Sequence, residues 1–225
     1  MTVSFETVYA AAAARKGGPS ALEALLPGPP KSAASLRRLK DAKALGMLTK
    51  GVFRAGFNWR VVERYWPTMT EAFGGFEVGA VATLDEGDVA ALLTNPGMIK
   101  NRARIEATIH NARWLLDILE EAGSFGRWLA AWPGDEIVGL WQRMSAEGKR
   151  LGGTTAQYVL REMGKDTFML TRSVLGGLAH FGVLDRPTAG KRNQAAAQAA
   201  FNAWHHETGR GYGALSRIVA CSTDA

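Results

Sequence analysis

The sequence predicts an all-α protein, and three features lead to that prediction. Strand signals are scarce, because no alternating apolar run is bounded by Asn-Gly or Asp-Gly and β-branched residues never cluster. Apolar residues instead recur at spacings of three and four, as on one face of a helix. Gly, Pro and Asp interrupt these segments at short intervals, which predicts about ten to twelve helices joined by short connections.

The interruptions set the expected helix boundaries. A basic helix begins after Ser32 or Ser35 and stops at Gly46. The segment 48–65 is apolar on most faces and predicts one buried helix, and Pro67 starts a short element after it. In order, the predicted helices are 3–14, 32 or 35 to 45, 48–65, a short element from 67, 85–93, 101–121, 124–131, 135–146, 153–163, 167–182, 189–206 and 211–220.

The 225-residue chain is basic, with 27 Lys and Arg against 21 Asp and Glu, a net charge of +6 and a pI of about 9.7. Residues 1–50 carry 8 basic and 3 acidic groups and residues 186–225 carry 5 and 2, whereas 51–185 carry 14 and 16. This excess at both ends favours a polyanion as a partner. A high pI also serves solubility alone, and charge by itself leaves both interpretations open.

Few residues could bind a metal ion. The single cysteine, Cys221, excludes an intramolecular disulfide and a zinc site built on several thiolates. The four histidines form no HxxxH or HExxH spacing, so we expect no structural zinc, and the lack of a Walker loop or GxGxxG predicts no cofactor. No uncharged apolar run reaches the roughly 18 residues of a membrane span, so we expect a protein of the reducing cytoplasm.

A glycine-framed turn, Gly-Lys-Arg-Leu-Gly-Gly-Thr-Thr at 148–155, joins the predicted helices 135–146 and 153–163. Glycine permits positive φ, and free N–H groups at the start of the second helix form an anion site. A DNA phosphate would fit there without the sequence being read. The expected contacts are Lys149, Arg150, Gly152, Gly153, Thr154 and Thr155. The alternative is an ordinary connection between two helices, and spacing alone leaves both open.

Three motifs resemble those of one known family. The hairpin, with Tyr158 three residues after Gly-Thr-Thr, resembles the helix-hairpin-helix of the DNA glycosylase superfamily, and in detail that of the 3-methyladenine DNA glycosylase I family. The run 97–113 looks like that family's long-helix motif, and Ala-Gly-Phe-Asn-Trp at 55–59 is similar to its Ala-Gly-Leu-Ser-Trp element. The motifs occur in the family's order, and the resemblance covers about residues 45–182.

The resemblance implies a single glycosylase-like domain over 1–225, made of two helical lobes with a cleft between them. We expect about 50–135 in one lobe and 1–49 plus 136–225 in the other, with the hairpin at about 135–163. The N-terminal segment should pack with the C-terminal helices.

The chain departs from the family at functional positions. The family's zinc-binding thiols and histidines have no counterparts. By ungapped counting, Gly51 stands where the family has the glutamate that contacts the damaged base, and Phe53 and Arg54 replace its paired glutamines. Thr171 falls at the position of the superfamily's catalytic aspartate, and Thr154 at that of the lysine that forms a Schiff base in some members.

Two aromatic residues are candidates to hold a flipped base. Flipping costs a few kcal/mol, and stacking on aromatic rings offsets that cost. Trp59 and Phe53 are the expected stacking residues, although core packing explains either ring equally simply. Thr171 is suited to hydrogen bonding or helix capping rather than acid–base work.

These observations predict a monofunctional DNA N-glycosylase of base-excision repair that flips alkylated purines, such as 3-methyladenine, and hydrolyses the N-glycosidic bond. We expect it to bind damaged double-stranded DNA as a monomer. Because position 154 is a threonine and not a lysine, we expect no strand cleavage. The alternative is a non-catalytic helix-hairpin-helix DNA-binding protein that has lost both carboxylates, at Gly51 and Thr171.

Overall fold

A computed structural model describes residues 3–224 and confirms the all-α prediction, since that range contains helices and no strand. Two single-turn 3-10 segments, Gly74–Phe76 and Gly134–Glu136, supplement the α-helices. The α-helices in chain order are α1 (Phe5–Lys16), α2 (Pro19–Glu23), α3 (Ala33–Arg37), α4 (Asp41–Arg54), α5 (Trp59–Ala72), α6 (Val78–Ala82), α7 (Glu86–Thr94), α8 (Arg102–Ala122), α9 (Phe125–Ala131), α10 (Ile137–Glu147), α11 (Thr154–Met163), α12 (Arg172–His180), α13 (Lys191–Thr208) and α14 (Tyr212–Cys221).

The chain folds into two compact units. The first contains the described residues up to Lys31, together with Pro133–Leu140 and the segment from Asp166 onward. The second contains Ser32–Trp132 and Trp141–Lys165. The second unit therefore includes residues 32–49 and 141–165 together with 50–132. The sequence predicted that 32–49 and 141–165 belong to the other lobe. The reason is packing, because α4 lies against α8 and α11 lies against α4.

The second unit is built around α8, which packs against α4, α6, α7 and α9. The Asn101 side chain caps α8 by accepting from the Arg104 N–H at 3.2 Å, and Gly123 ends the helix in the left-handed conformation. Ile105, Leu115 and Ile118 lie on the inner face of α8 and are fully buried. This helix supplies the rigid frame on which the candidate site is built.

Two predicted boundaries in this unit are wrong. The helix expected to run from Ser32 or Ser35 to Gly46 is in fact two helices. Helix α3 ends at Arg37, and α4 begins at Asp41 and continues through Gly46 to Arg54. A Cβ atom at Gly46 would lie 3.1 Å from the Phe76 ring, so the glycine allows Phe76 to pack closely against α4. The helix expected over 48–65 is broken by a loop at 55–58, and α5 includes Pro67 rather than starting there.

The first unit brings the two ends of the chain together. Helix α1 packs against α13 and α14, and α12 packs against α14. The Phe5 and Trp204 rings have centroids 5.6 Å apart, and the Trp204 indole N–H donates to the Val3 carbonyl at 3.0 Å. The rings of Phe168 and Phe201 stack at 4.3 Å. Aromatic packing between segments distant in sequence thus forms this core.

No described helix is long and apolar enough to cross a membrane. Within residues 3–224, no three His, Cys, Asp or Glu side chains are grouped so that they could hold a metal ion. The absence of structural zinc stays a prediction.

Candidate functional site

The polar side chains of the long-helix motif tie neighbouring chain segments to α8. Arg104 donates from Nη1 to the Phe53 carbonyl and from Nη2 to the Ala55 carbonyl, both at 2.7 Å. These two carbonyls lie at the C-terminal end of α4, so the guanidinium satisfies acceptors that the helix leaves free. Burial lowers the pKa of Arg104, and the charge of Arg150 lowers it further. Arg104 of the long-helix motif therefore holds the C-terminal end of α4 against α8.

Asn111 of α8 holds the hairpin turn in the same way. Its Oδ1 accepts from the Lys149 N–H at 2.7 Å, and its Nδ2 donates to the Lys149 carbonyl at 3.2 Å. The side chain is fully buried, as expected for a polar group whose bonding capacity is used inside the protein. Asn111 thereby fixes the turn between α10 and α11.

The hairpin presents its polar groups to solvent. Lys149, Arg150, Gly152, Gly153 and Thr154 are exposed, and Thr155 is partly exposed. Gly153 has φ 60° and ψ −133°, and no described side chain caps the first N–H groups of α11. An exposed, uncapped helix start beside two cationic side chains has the properties of a backbone phosphate site. The structure thus brings together all six residues expected to contact DNA.

A cavity of about 200 Å³ opens beside this hairpin, within the second unit. Its walls come from the C-terminal turn of α4, the loop that follows, the first residue of α5 and one face of α11. The lining residues are Gly51, Arg54, Ala55, Gly56, Trp59, Thr154, Thr155, Tyr158, Val159 and Glu162. Two threonines therefore belong both to the hairpin and to the cavity wall.

Trp59 provides the exposed aromatic surface of the cavity. Asn58 caps α5 by accepting from the Arg60 N–H at 3.0 Å, which places Trp59 at the first helical position. Trp59 is 45% exposed, and its ring meets that of the 39% exposed Tyr158 edge to face, with centroids 5.7 Å apart. The Arg54 guanidinium lies 4.7 Å from the Trp59 ring centroid. The indole is held in place yet keeps free surface for a planar ligand.

Arg54 is the charged centre of the cavity wall. Its Nη1 donates to Glu162 Oε1 at 2.5 Å, and its Nη2 donates to Glu63 Oε1. Burial works against its charged form, but the hydrogen bond to Glu63 and the charge of Glu162 outweigh burial and raise its pKa. Lys50 donates to the other Glu63 oxygen at 2.7 Å. This network fixes Arg54 against the indole.

Phe53 and Thr171, two residues singled out in the sequence, do not line this cavity. Phe53 is 0% exposed and packs in the core, so it presents no face to a base in this structure, and the expected stacking role is wrong. Thr171 belongs to the first unit, where its hydroxyl accepts from the Val174 N–H at 3.4 Å and caps α12. Helix α4 is packed against both α8 and α11, and the Phe53 side chain is fully buried in this packing.

Gly51 explains why α4 and α11 approach closely. A Cβ atom at this position would stand 2.2 Å from Cγ2 of Val159, so any side chain here would collide with α11. The close packing of α4 and α11 therefore leaves no room for a glutamate at position 51, where the family that the sequence resembles has one.

Arg54 and Glu162 were missed as site residues in the sequence. A signal for Arg54 exists, because it directly precedes the Ala-Gly-Phe-Asn-Trp element. Glu162 lies one helical turn after Tyr158, on the same face of α11.

The fold is that of the helical DNA glycosylases. The 8-oxoguanine DNA glycosylase of Methanocaldococcus jannaschii superposes with a TM-score of 0.57 at 14% identity, covering 96% of this chain and 92% of that one. The 3-methyladenine DNA glycosylase I of Staphylococcus aureus superposes with a TM-score of 0.51 at 21% identity, covering 70% and 91%. At these identities the likeness concerns the fold alone.

The sequence identifies the family within that fold. Residues 36–170, more than half of the chain, match the profile of the methyladenine glycosylase family, and the chain belongs to this family. A DNA-3-methyladenine glycosylase of Haemophilus influenzae is 33% identical over 70 residues, which are 31% of this chain and 37% of that protein. The chain thus aligns with little more than a third of this relative's length. The resemblance inferred from the three motifs is confirmed.

Proposed function

We propose that the protein is a DNA N-glycosylase that flips an alkylated purine such as 3-methyladenine into the cavity at Trp59 and hydrolyses its N-glycosidic bond. The observation that carries the proposal is the junction of two features in one unit. Thr154 and Thr155 belong to the hairpin suited to a phosphate and also line the cavity that exposes the indole. A nucleotide whose backbone rests on the hairpin would have its base within reach of the aromatic wall.

The hairpin binds duplex DNA without reading its sequence in this proposal. Lys149 and Arg150 are exposed and supply counterion-releasing contacts, so affinity falls steeply with salt. The variant Lys149→Glu/Arg150→Glu should bind a duplex far more weakly than the wild type. The same charge change at Lys191 and Arg192, exposed residues at the start of α13, serves as the matched control and should have a much smaller effect.

The reaction is hydrolysis alone in this proposal. An alkylated purine carries positive charge and leaves readily, so positioning and clamping the base supply much of what catalysis requires. The hairpin position at which some glycosylases carry a Schiff-base lysine is Thr154, whose hydroxyl cannot form an imine. Abasic sites should therefore accumulate without strand cleavage.

The decisive test is incubation with methylated duplex DNA, followed by measurement of free base and of abasic sites. The wild type should release 3-methyladenine, and Trp59→Ala should lose most of that release because stacking on an aromatic ring contributes about 1–3 kcal/mol per base. Trp66→Ala is the control, since Trp66 lies on the same helix but stacks on Phe76 at 5.3 Å and does not line the cavity. Undiminished release by Trp59→Ala would remove this residue from the site.

Two observations favour a second candidate, a non-catalytic DNA-binding protein on the same scaffold. No side chain fits at Gly51, and Thr171 is engaged as a helix cap. Duplex binding without any base release, even with enzyme at the concentration of the DNA, would favour this candidate and reject the glycosylase.

A further inference from the structure

We propose that Glu162 is the specificity-determining residue of this cavity, contacting a positively charged base from α11 where the family's glutamate on α4 is absent. The inference rests on the proposed function, because it assigns the charge of the base that the same cavity accepts. It concerns this chain's own geometry, in which Glu162 on α11, and no residue of α4, supplies a carboxylate to the cavity wall.

A pocket that accepts a cationic base requires negative charge, because a positive group removed from water is stabilised only when it is paired. Helix α4 does not supply this charge, since Gly51 has no side chain and its Cβ direction is blocked at 2.2 Å by Val159. Glu162 is the one carboxylate among the described residues that line the cavity. The close approach of α11 that excludes a side chain at 51 also brings Glu162 into the wall.

The position of Glu162 suits contact with a base stacked on Trp59. Glu162 and Tyr158 are four residues apart on α11 and therefore share one face of the helix. Tyr158 touches the indole edge to face, so the carboxylate lies one helical turn beyond the aromatic contact. The Glu162 side chain is 36% exposed, which leaves it accessible to a ligand.

The hydrogen bonds of Glu162 leave one oxygen available. Oε1 accepts from Arg54 at 2.5 Å, whereas Oε2 has no donor within residues 3–224. Arg54 therefore orients the carboxylate without saturating it. Glu63, the second partner of Arg54, differs in both respects, because Lys50 and Arg54 occupy its two oxygens and it does not line the cavity.

That contrast provides a matched pair of variants. Glu162→Gln and Glu63→Gln each remove one carboxylate from Arg54, but only the first removes charge from the cavity wall. The readout is quenching of protein fluorescence by two small probes, the permanently cationic 3,9-dimethyladeninium and the neutral 9-methyladenine. The wild type should bind the cation more tightly than the neutral probe. Glu162→Gln should lower the ratio of these two affinities about tenfold or more, as loss of a charge-assisted hydrogen bond does.

Glu63→Gln should keep the wild-type ratio. Equal loss of the ratio in both variants would mean that Glu162 acts only by holding Arg54, and an unchanged ratio in Glu162→Gln would mean that it does not contact the base. Either result overturns the inference. Circular dichroism checks the folding of each variant. If Glu162→Gln unfolds, Glu162→Asp takes its place in the test. This variant keeps the charge and should therefore keep part of the wild-type preference for the cationic probe.

Base release from methylated duplex separates this inference from the proposed function. If the wild type releases no base, the proposed function fails and the inference falls with it. If the wild type releases 3-methyladenine and Glu162→Gln releases it at the same rate, the function stands and the role of Glu162 is refuted.

Discussion

Replacing Asn111 by alanine tests whether the buried asparagine of α8 holds the hairpin turn between α10 and α11. The side chain is fully buried and makes two hydrogen bonds to the backbone of Lys149, at 2.7 and 3.2 Å. The variant Asn111→Ala removes both bonds and leaves the turn between α10 and α11 without its link to α8. We expect a loss of stability and, because the turn carries the proposed phosphate site, a loss of duplex affinity.

The size of the stability loss follows from the two bonds. A neutral hydrogen bond contributes about 1 kcal/mol net, and a buried polar group left without a partner costs about 1–3 kcal/mol. Water can reach part of the freed backbone, because Lys149 lies at an exposed turn. We therefore expect the free energy of unfolding to fall by about 2 kcal/mol, which lowers the melting temperature by about 4–8 °C for a chain of this size.

Urea denaturation and duplex titration measure the two effects, with Asn101→Ala as the control. Asn101 caps the same helix through one hydrogen bond to the Arg104 N–H, and its loss costs about 1 kcal/mol. It lies ten residues from Asn111, about 15 Å along the helix, and does not touch the turn. The reasoning is refuted if Asn111→Ala is as stable as the wild type, or if it binds duplex as tightly as Asn101→Ala.

The other predictions concern packing and ionisation. Gly51→Ala should lower the unfolding free energy by about 1–3 kcal/mol because its Cβ would overlap a methyl group of α11. Gly79→Ala, in open space within α6, should raise it by up to about 1 kcal/mol, and equal urea midpoints for the two variants would contradict this. A hydrogen bond from Arg143 lowers the pKa of Glu121, so its contribution to stability is present above the unfolded-state pKa and is lost as the pH falls through the lower folded-state value. Glu121→Gln should therefore flatten the decline of the urea midpoint below about pH 4.5, and an unchanged decline would count against the ion pair. Burial raises the pKa of Tyr212 to about 12, so the stability due to its neutral phenol is complete below about pH 10 and is lost as the pH rises toward 12. An ultraviolet titration of the folded protein should show a late ionisation step that is missing in Tyr212→Phe, and no difference between the two titrations would contradict the burial argument.

Local sequence patterns predicted the helical elements more reliably than their ends. The helices of the hairpin were expected at 135–146 and 153–163 and lie at Ile137–Glu147 and Thr154–Met163. The wrong boundaries occur at Gly46 and Pro67, where a residue that usually ends or starts a helix lies inside one. Gly46 is tolerated because Phe76 packs on it, a contact between residues that only the folded chain brings together.

The sequence by itself determined the helical class, the hairpin and the family, because periodicity, turn residues and the order of three motifs are local properties that need no knowledge of the fold. Only the tertiary structure decided which aromatic ring is available, since Trp59 and Phe53 both stand next to the Ala-Gly element and just one of them is exposed. It also decided that a carboxylate, Glu162, lines the same cavity as the indole. Arg54 and Glu162 are 108 residues apart and meet only because α4 and α11 pack closely, at a glycine that leaves no room for a side chain between them.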